Sequence, residues 1–167
     1  EQNLKINIRE CLAKIGLYEA VTFSFISEKK IFPKKDIINK LKLDNPISNE
    51  MNIMRNSLFP NLLDIAAKNF SKGIESTEIF EIGDIFKGTE ATEQKTQAAI
   101  VISGFENKKT WHYKRRIFDF FDIKSYVTKL LNEIGIQTFK IDRSNNHWFH
   151  PGISADLFFS NKKIASF

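Results

Sequence analysis

The chain has 167 residues, of which 42% are hydrophobic, and a formal net charge of +5. That length and apolar content suffice for one ordinary core and exclude a low-complexity chain, and no apolar run approaches the roughly 20 residues of a membrane-spanning helix. The mild positive charge favours an anionic partner without naming one. The single cysteine, Cys11, rules out an internal disulfide, so a reducing cytoplasm is the expected compartment.

Leu4, Ile8, Cys11, Leu12 and Ile15 recur at helical spacing, and Gly16 follows where a left-handed residue closes a helix. Val21, Phe23 and Phe25 then alternate with Thr22 and Ser24, a strand pattern. Residues 28–40 are charged and contain Pro33, which predicts a surface excursion with a short helix near Asp36. Residues 40–43 read as extended, because Asn45 precedes Pro46 and is pushed out of helical geometry. A polar loop follows. Ser57 is a good N-cap for a helix opening at Leu58, with Pro60 in a first turn that needs no amide donor there. Phe59, Leu63, Ala66 and Phe70 share one face of that helix, Leu62 and Ile65 lie beside them, and Gly73 is its stop.

An aromatic-rich strand is predicted over 78–86, where Gly83 marks a bulge or a close backbone approach. Residues 97–103 are apolar on both faces, the pattern of a central strand. Residues 104–117 form a basic, aromatic loop. Asp119 caps the next helix, and Asp122 lies in its first turn, where the helix dipole favours it. Phe120, Ile123, Val127, Leu130, Leu131 and Ile134 make its buried stripe, and Gly135 ends it. Strands are expected at 136–141, 153–159 and 164–167. The total is about three helices and six or seven strands with few helical crossovers. An α+β fold follows, a mainly antiparallel sheet flanked by helices. We read residues 1–167 as a single domain. Glu1 in place of Met, and a strand-like end at 162–167, read as a piece cut from a longer chain.

Arg55 is a cation placed among apolar and turn residues. One reading gives it a substrate or partner contact; the preferred one has its five donors fasten the 45–48 loop through backbone carbonyls. His147 and His150 are spaced as HxxH, but a metal needs a third ligand and Cys11 is the only thiol, so no metal site is expected. His150 is expected to order the turn at Pro151 and Gly152. Trp111, His112, Tyr113, Lys114, Arg115 and Arg116 interleave aromatics with cations, a pattern that stacks bases and neutralises phosphates. The alternative is a solvated loop that tucks Trp111 onto the core. No nucleophile elbow or glycine-rich phosphate loop is present, so no catalytic, cofactor-binding or metal residue is assigned. Cys11 lies on an apolar helix stripe, where a buried, unreactive thiol is the usual case.

Four ordered stretches carry a family resemblance. Residues 43–86 hold Asn45-Pro46-Ile47-Ser48, then Met54-Arg55-Asn56-Ser57-Leu58, then Phe80-Glu81-Ile82-Gly83. Residues 16–25 give a helix-to-strand passage. Trp111 is followed by Asp119-Phe120-Phe121-Asp122-Ile123-Lys124, and His150-Pro151-Gly152 by Ser154-Ala155. Together they closely resemble the core domain of the bacterial phenylalanyl-tRNA synthetase beta subunit, over essentially the whole chain. Two positions depart from the family pattern: Ile153 and Lys72 stand where arginine is common. A bidentate contact at either place is therefore not carried over.

The resemblance implies a class II aminoacyl-tRNA synthetase-like fold with a degenerate catalytic core. It implies a non-catalytic module of the ligase that charges tRNA(Phe) with phenylalanine, with ATP and magnesium used in the parent complex and no cofactor held by this chain. The implied partners are the alpha subunit, a second alpha/beta pair in a heterotetramer, and tRNA(Phe) through that complex. Asn45, Pro46, Arg55, Ser57, Glu81, Gly83, Asp122, Lys124, His150, Pro151 and Gly152 become structural or interface candidates. Trp111, Lys114, Arg115 and Arg116 are candidates for RNA contact. An apolar face left uncovered on the helix near 58–70 would predict a subunit interface. Two other functions stay open: an RNA-binding module using loop 108–116, and a stand-alone synthetase-like ligase with a site built from Arg55, Lys124 and Arg143.

Overall fold

The computed structural model describes residues 2–31, 35–106, 111–112, 114–146 and 149–167, with side chains at 35–37 outside that description. Contacts within the chain divide it into two compact units. One comprises Glu1–Leu17 with Gly104–Phe167, the other Tyr18–Ser103.

In the second unit β1 (Tyr18–Glu19) runs parallel to β4 (Thr77–Phe86), and β4 pairs antiparallel with β5 (Gln94–Ser103) in the order β1-β4-β5. A separate antiparallel pair joins β2 (Phe25–Ile26) to β3 (Ile53–Met54). The helices here are α2 (Lys35–Leu41) and α3 (Phe59–Ser71). Leu58 and Leu62 at the start of α3 pack on Ile79, Ile85 and Ala99 of the sheet. Strand alternation places Glu81 and Gly83 on that same face of β4, between Ile79 and Ile85. A second cluster gathers Ile26, Ile31, Leu41 and Ile53, with Met54 and Phe86 against it.

The first unit packs α1 (Gln2–Lys14) beside α4 (Phe120–Glu133) and carries the antiparallel meander β6 (Lys140–Arg143), β7 (Ala155–Phe159) and β8 (Lys162–Ser166). Leu131, Ala155, Leu157 and Phe167 form its core, with Phe120, Ile123, Val127 and Ile134 from the α4 stripe packed against them. Gly16, Gly73 and Gly135, the three helix stops, all have positive φ.

The α+β class and the mainly antiparallel pairing follow the sequence reading, but several local expectations do not. The predicted strand over 21–25 shrinks to Phe25–Ile26, and Val21 is 89% exposed. Thr22 is drawn inward to polar partners, so it is the polar set that faces the protein. Lys40 and Leu41 close α2 rather than running extended, and the polar loop gives way to an unpredicted strand at Ile53–Met54. On α3 the buried residues are Pro60 and Leu62, while Leu63 and Phe70 are exposed. β4, not β5, holds the middle of its sheet. Gly83 is not at a bulge, since β4 and β5 stay in unbroken register through it. Ile136 is a helix-trailing core residue, its N–H bonded to the Leu131 carbonyl, so β6 begins only at Lys140.

Asp119 and Asp122 build a reciprocal cap on α4: the Asp119 carboxylate accepts from Phe121 and Asp122 N–H groups, and Asp122 accepts from the Asp119 N–H. Arg116 adds two bonds to the Asp122 carboxylate. The Arg116 bonds hold the Asp122 carboxyl below the usual carboxylate range, burial opposes them, and the Asp119 N–H assists. A depressed carboxyl pKa stabilises the fold above the unfolded value, and that contribution is lost as pH falls through the folded value. We expect Asp119→Ala to cost about 1 kcal/mol by loss of the cap. Asp122→Asn should flatten the acid limb of a helix-monitored pH titration; an unchanged acid limb would contradict the assignment.

Candidate functional site

The polar centre of the second unit is built on Arg55, one residue past β3. Its side chain is 3% exposed and that of Glu81, on β4, is 4% exposed. The Arg55 Nη1 donates to Glu81 Oε1 at 2.7 Å and to Thr22 Oγ1 at 2.9 Å, and Nε donates to the Asp84 carbonyl at 2.8 Å. The Thr22 hydroxyl also accepts from Asn61 Nδ2 at 2.9 Å and lies 2.8 Å from Glu81 Oε2. A hydroxyl has one donor and two acceptor sites, and here each is used. The backbone completes the join: Arg55 N–H donates to the Ser24 carbonyl, and the Arg55 carbonyl accepts from the Phe86 N–H.

Gly83 is the steric condition for this arrangement. A Cβ at that position would lie 2.3 Å from Arg55 Nη2 and 3.3 Å from its Cζ. The close approach expected at Gly83 is therefore an approach of a guanidinium, not of another backbone. The expectation that Arg55 fastens the 45–48 loop is corrected. Its donors go to Thr22, Glu81 and Asp84 because a buried carboxylate is a stronger acceptor than the carbonyls of an exposed loop.

The remaining candidates scatter. Asn45 and Pro46 are exposed in their loop. Ser57 Oγ accepts from the Phe59 N–H, but α3 opens at Phe59 with Leu58 as its N-cap, one residue later than the expected cap at Ser57. His150 Nδ1 accepts from the Gly152 N–H at 3.0 Å across Pro151, and Arg143 Nε donates to the Pro151 carbonyl. The HxxH pair extends to His147, which lies outside the described residues. Among the described residues no group of three His, Cys, Asp or Glu side chains converges as metal ligands would. Lys124 is partly buried on α4, two residues past Asp122.

The basic aromatic segment is divided in its roles. Trp111 is 93% exposed, which corrects the alternative that tucks it onto the core. Lys114 is exposed as well. Arg115 lies 3.9 Å over the Phe105 ring, and Arg116 is held by Glu106 and Asp122. Residues 107–110 and 113 lie outside the described residues. Cys11 is buried on α1; burial pushes its thiol up and Glu133 adds to that, so the reactive thiolate is disfavoured.

Sequence reasoning missed Thr22, Asn61 and Asp84, each placed on a presumed solvent side or not weighed. The available signal was a mismatch: β4 carries Glu81 between Ile79 and Ile85, on a face that the apolar pattern buries. A buried carboxylate demands a cation, and Arg55 lies in the neighbouring strongly patterned segment.

A family model described as "Phenylalanyl tRNA synthetase beta chain CLM domain" matches residues 1–167. The chain belongs to this beta-chain family. A phenylalanine–tRNA ligase beta subunit of Anaplasma marginale is 38% identical over 86% of this chain and 18% of its own length. One of Novosphingobium aromaticivorans is 35% identical over 98% of this chain and 21% of its own length. The chain thus spans about a fifth of the curated relatives it matches. A pyrrolysyl tRNA synthetase of Desulfitobacterium hafniense superposes with a TM-score of 0.69 at 15% identity, covering 99% of this chain and 56% of that one. At that identity the likeness carries the fold alone, and the fold is that of the class II synthetases.

The geometry of the beta-chain centre gives a direct expectation. Arg55→Met should destabilise the second unit by about 3–5 kcal/mol, because Glu81 is left buried and unpaired. Gly83→Ala should cost about 1–3 kcal/mol by forcing the guanidinium aside. Denaturant unfolding followed by amide exchange in β4 reads both. A cost below about 0.5 kcal/mol for Arg55→Met would contradict the buried pairing.

Proposed function

We propose that this chain is the non-catalytic core module of a phenylalanine–tRNA ligase beta subunit. Its role is to support the assembly that charges tRNA(Phe) with phenylalanine. In this reading the alpha subunit carries the activation chemistry with ATP and magnesium, and two alpha/beta pairs form a heterotetramer in the cytoplasm.

The observation that supports it best is the engagement of Arg55 by Glu81, Thr22 and Asp84 on the sheet face under α3. Adenylate chemistry needs cations free to meet phosphates as charge develops. A guanidinium already neutralised by a buried carboxylate does not meet that need. Magnesium in nucleotide chemistry is held by one or two carboxylates together with substrate phosphates, and this reading leaves it to the alpha subunit. No step through a nucleotide or its metal is therefore derived for this chain. The stand-alone ligase is disfavoured on the same ground, since Arg55 and Arg143 both have internal acceptors.

A docking role is supported by apolar residues left outside the cores. Leu63 and Phe70 on α3, and Tyr18, Val21 and Phe23 in the segment after α1, are all exposed. Isolated apolar side chains on a surface are ordinary, but a helix with an apolar outer face suits a subunit contact. The RNA-binding reading is weakened where Arg115 and Arg116 have internal roles, leaving Trp111 and Lys114 outward.

ATP–pyrophosphate exchange with phenylalanine tests the proposal. The beta chain alone should show no exchange above background, and adding the alpha subunit should restore it. Robust exchange by the beta chain alone would overturn the non-catalytic assignment.

A further inference from the structure

The surroundings of Arg55 have the make-up of a ligand site. The occupant is a planar cation bound through two of its nitrogens. The Asp84 carbonyl takes the Nε–H, while Glu81 Oε1 and Thr22 Oγ1 take the two N–H bonds of Nη1. The missing side chain of Gly83 leaves the room that Nη2 and Cζ fill. Thr22 is itself held by Asn61, and Glu81 accepts from the Thr22 N–H, so the acceptors are fixed by bonds other than those to the guanidinium. An ammonium is a compact point donor. It cannot reach the acceptors on the Nε and Nη1 sides together, whereas a planar fork does.

We propose that Glu81, Thr22, the Asp84 carbonyl and the bare Cα of Gly83 form a guanidinium-binding site. Arg55 occupies it in the native chain, and a small free guanidinium can fill it when that side chain is cut away. The site selects guanidinium and amidinium cations over ammonium ions. This inference does not depend on whether the module is catalytically silent, because it concerns only the geometry of the four acceptor and space-giving residues. It also assigns a role to Gly83: any side chain there removes the space and with it the selectivity.

The test is made in the full-length beta chain by amide hydrogen exchange, read at Thr22 and Phe86. Arg55→Ala should speed exchange at both amides by at least about a hundredfold, as loss of the buried pair requires. Ethylguanidinium at about 5 mM, far below denaturing concentrations, should recover at least about threefold of that loss. Ethylammonium at the same concentration should recover none, and the native chain should respond to neither. Adding Gly83→Ala to Arg55→Ala should abolish the recovery. Should Arg55→Ala fail to accumulate folded, Arg55→Val keeps a strand-compatible stem over the same space, with guanidinium itself as the probe. No recovery by guanidinium in a folded variant, or equal recovery by the ammonium, would overturn the proposal.

Discussion

A buried carboxylate on β4 constrains the whole second unit. Glu81 occupies a face where its strand neighbours Ile79 and Ile85 enter the apolar core. Removing such a charge from water costs several kcal/mol unless a partner with good geometry offsets it. Arg55 is that partner, and meeting it draws together segments that are far apart in sequence: Thr22, Asn61, Glu81 and Asp84. The inward turn of Thr22 and the absence of a side chain at position 83 both serve that one requirement.

Much of the architecture was legible in the sequence, because it rests on local rules. Helix stops at Gly16, Gly73 and Gly135 were readable since only glycine takes their left-handed backbone cheaply. The Asp119 cap and the α4 stripe were readable for similar local reasons. The failures share a cause. Alternation in 21–25 predicted a strand, but Thr22 turns inward to a carboxylate that is 59 residues away, a contact no local window sees. The helix face was misplaced for a related reason: the sheet meets Leu58, just before α3, and Leu62 on it, and spacing alone does not say which flank of a broad apolar stripe the sheet will meet.

The candidate site was half readable. The resemblance drew attention to Arg55, Glu81 and Gly83 as separate motif members, and the spacing flagged Gly83 as a close approach. What the sequence did not carry was their union. Long-range pairing of polar side chains is set by tertiary packing, and the preferred reading sent Arg55 to the wrong partner for want of that information. The beta-chain family assignment, by contrast, needed none of it, because the ordered motifs sufficed. Under α3 the polar residues Arg55, Thr22, Asn61 and Glu81 are engaged with one another.

The most direct test of this account is a double-mutant cycle on the ion pair, using Arg55→Met, Glu81→Leu and both together. Either single change should be costly, and the double should recover a large part, giving a coupling of about 2 kcal/mol or more. Additive losses, with a coupling near zero, would contradict the claim that this pairing organises the unit.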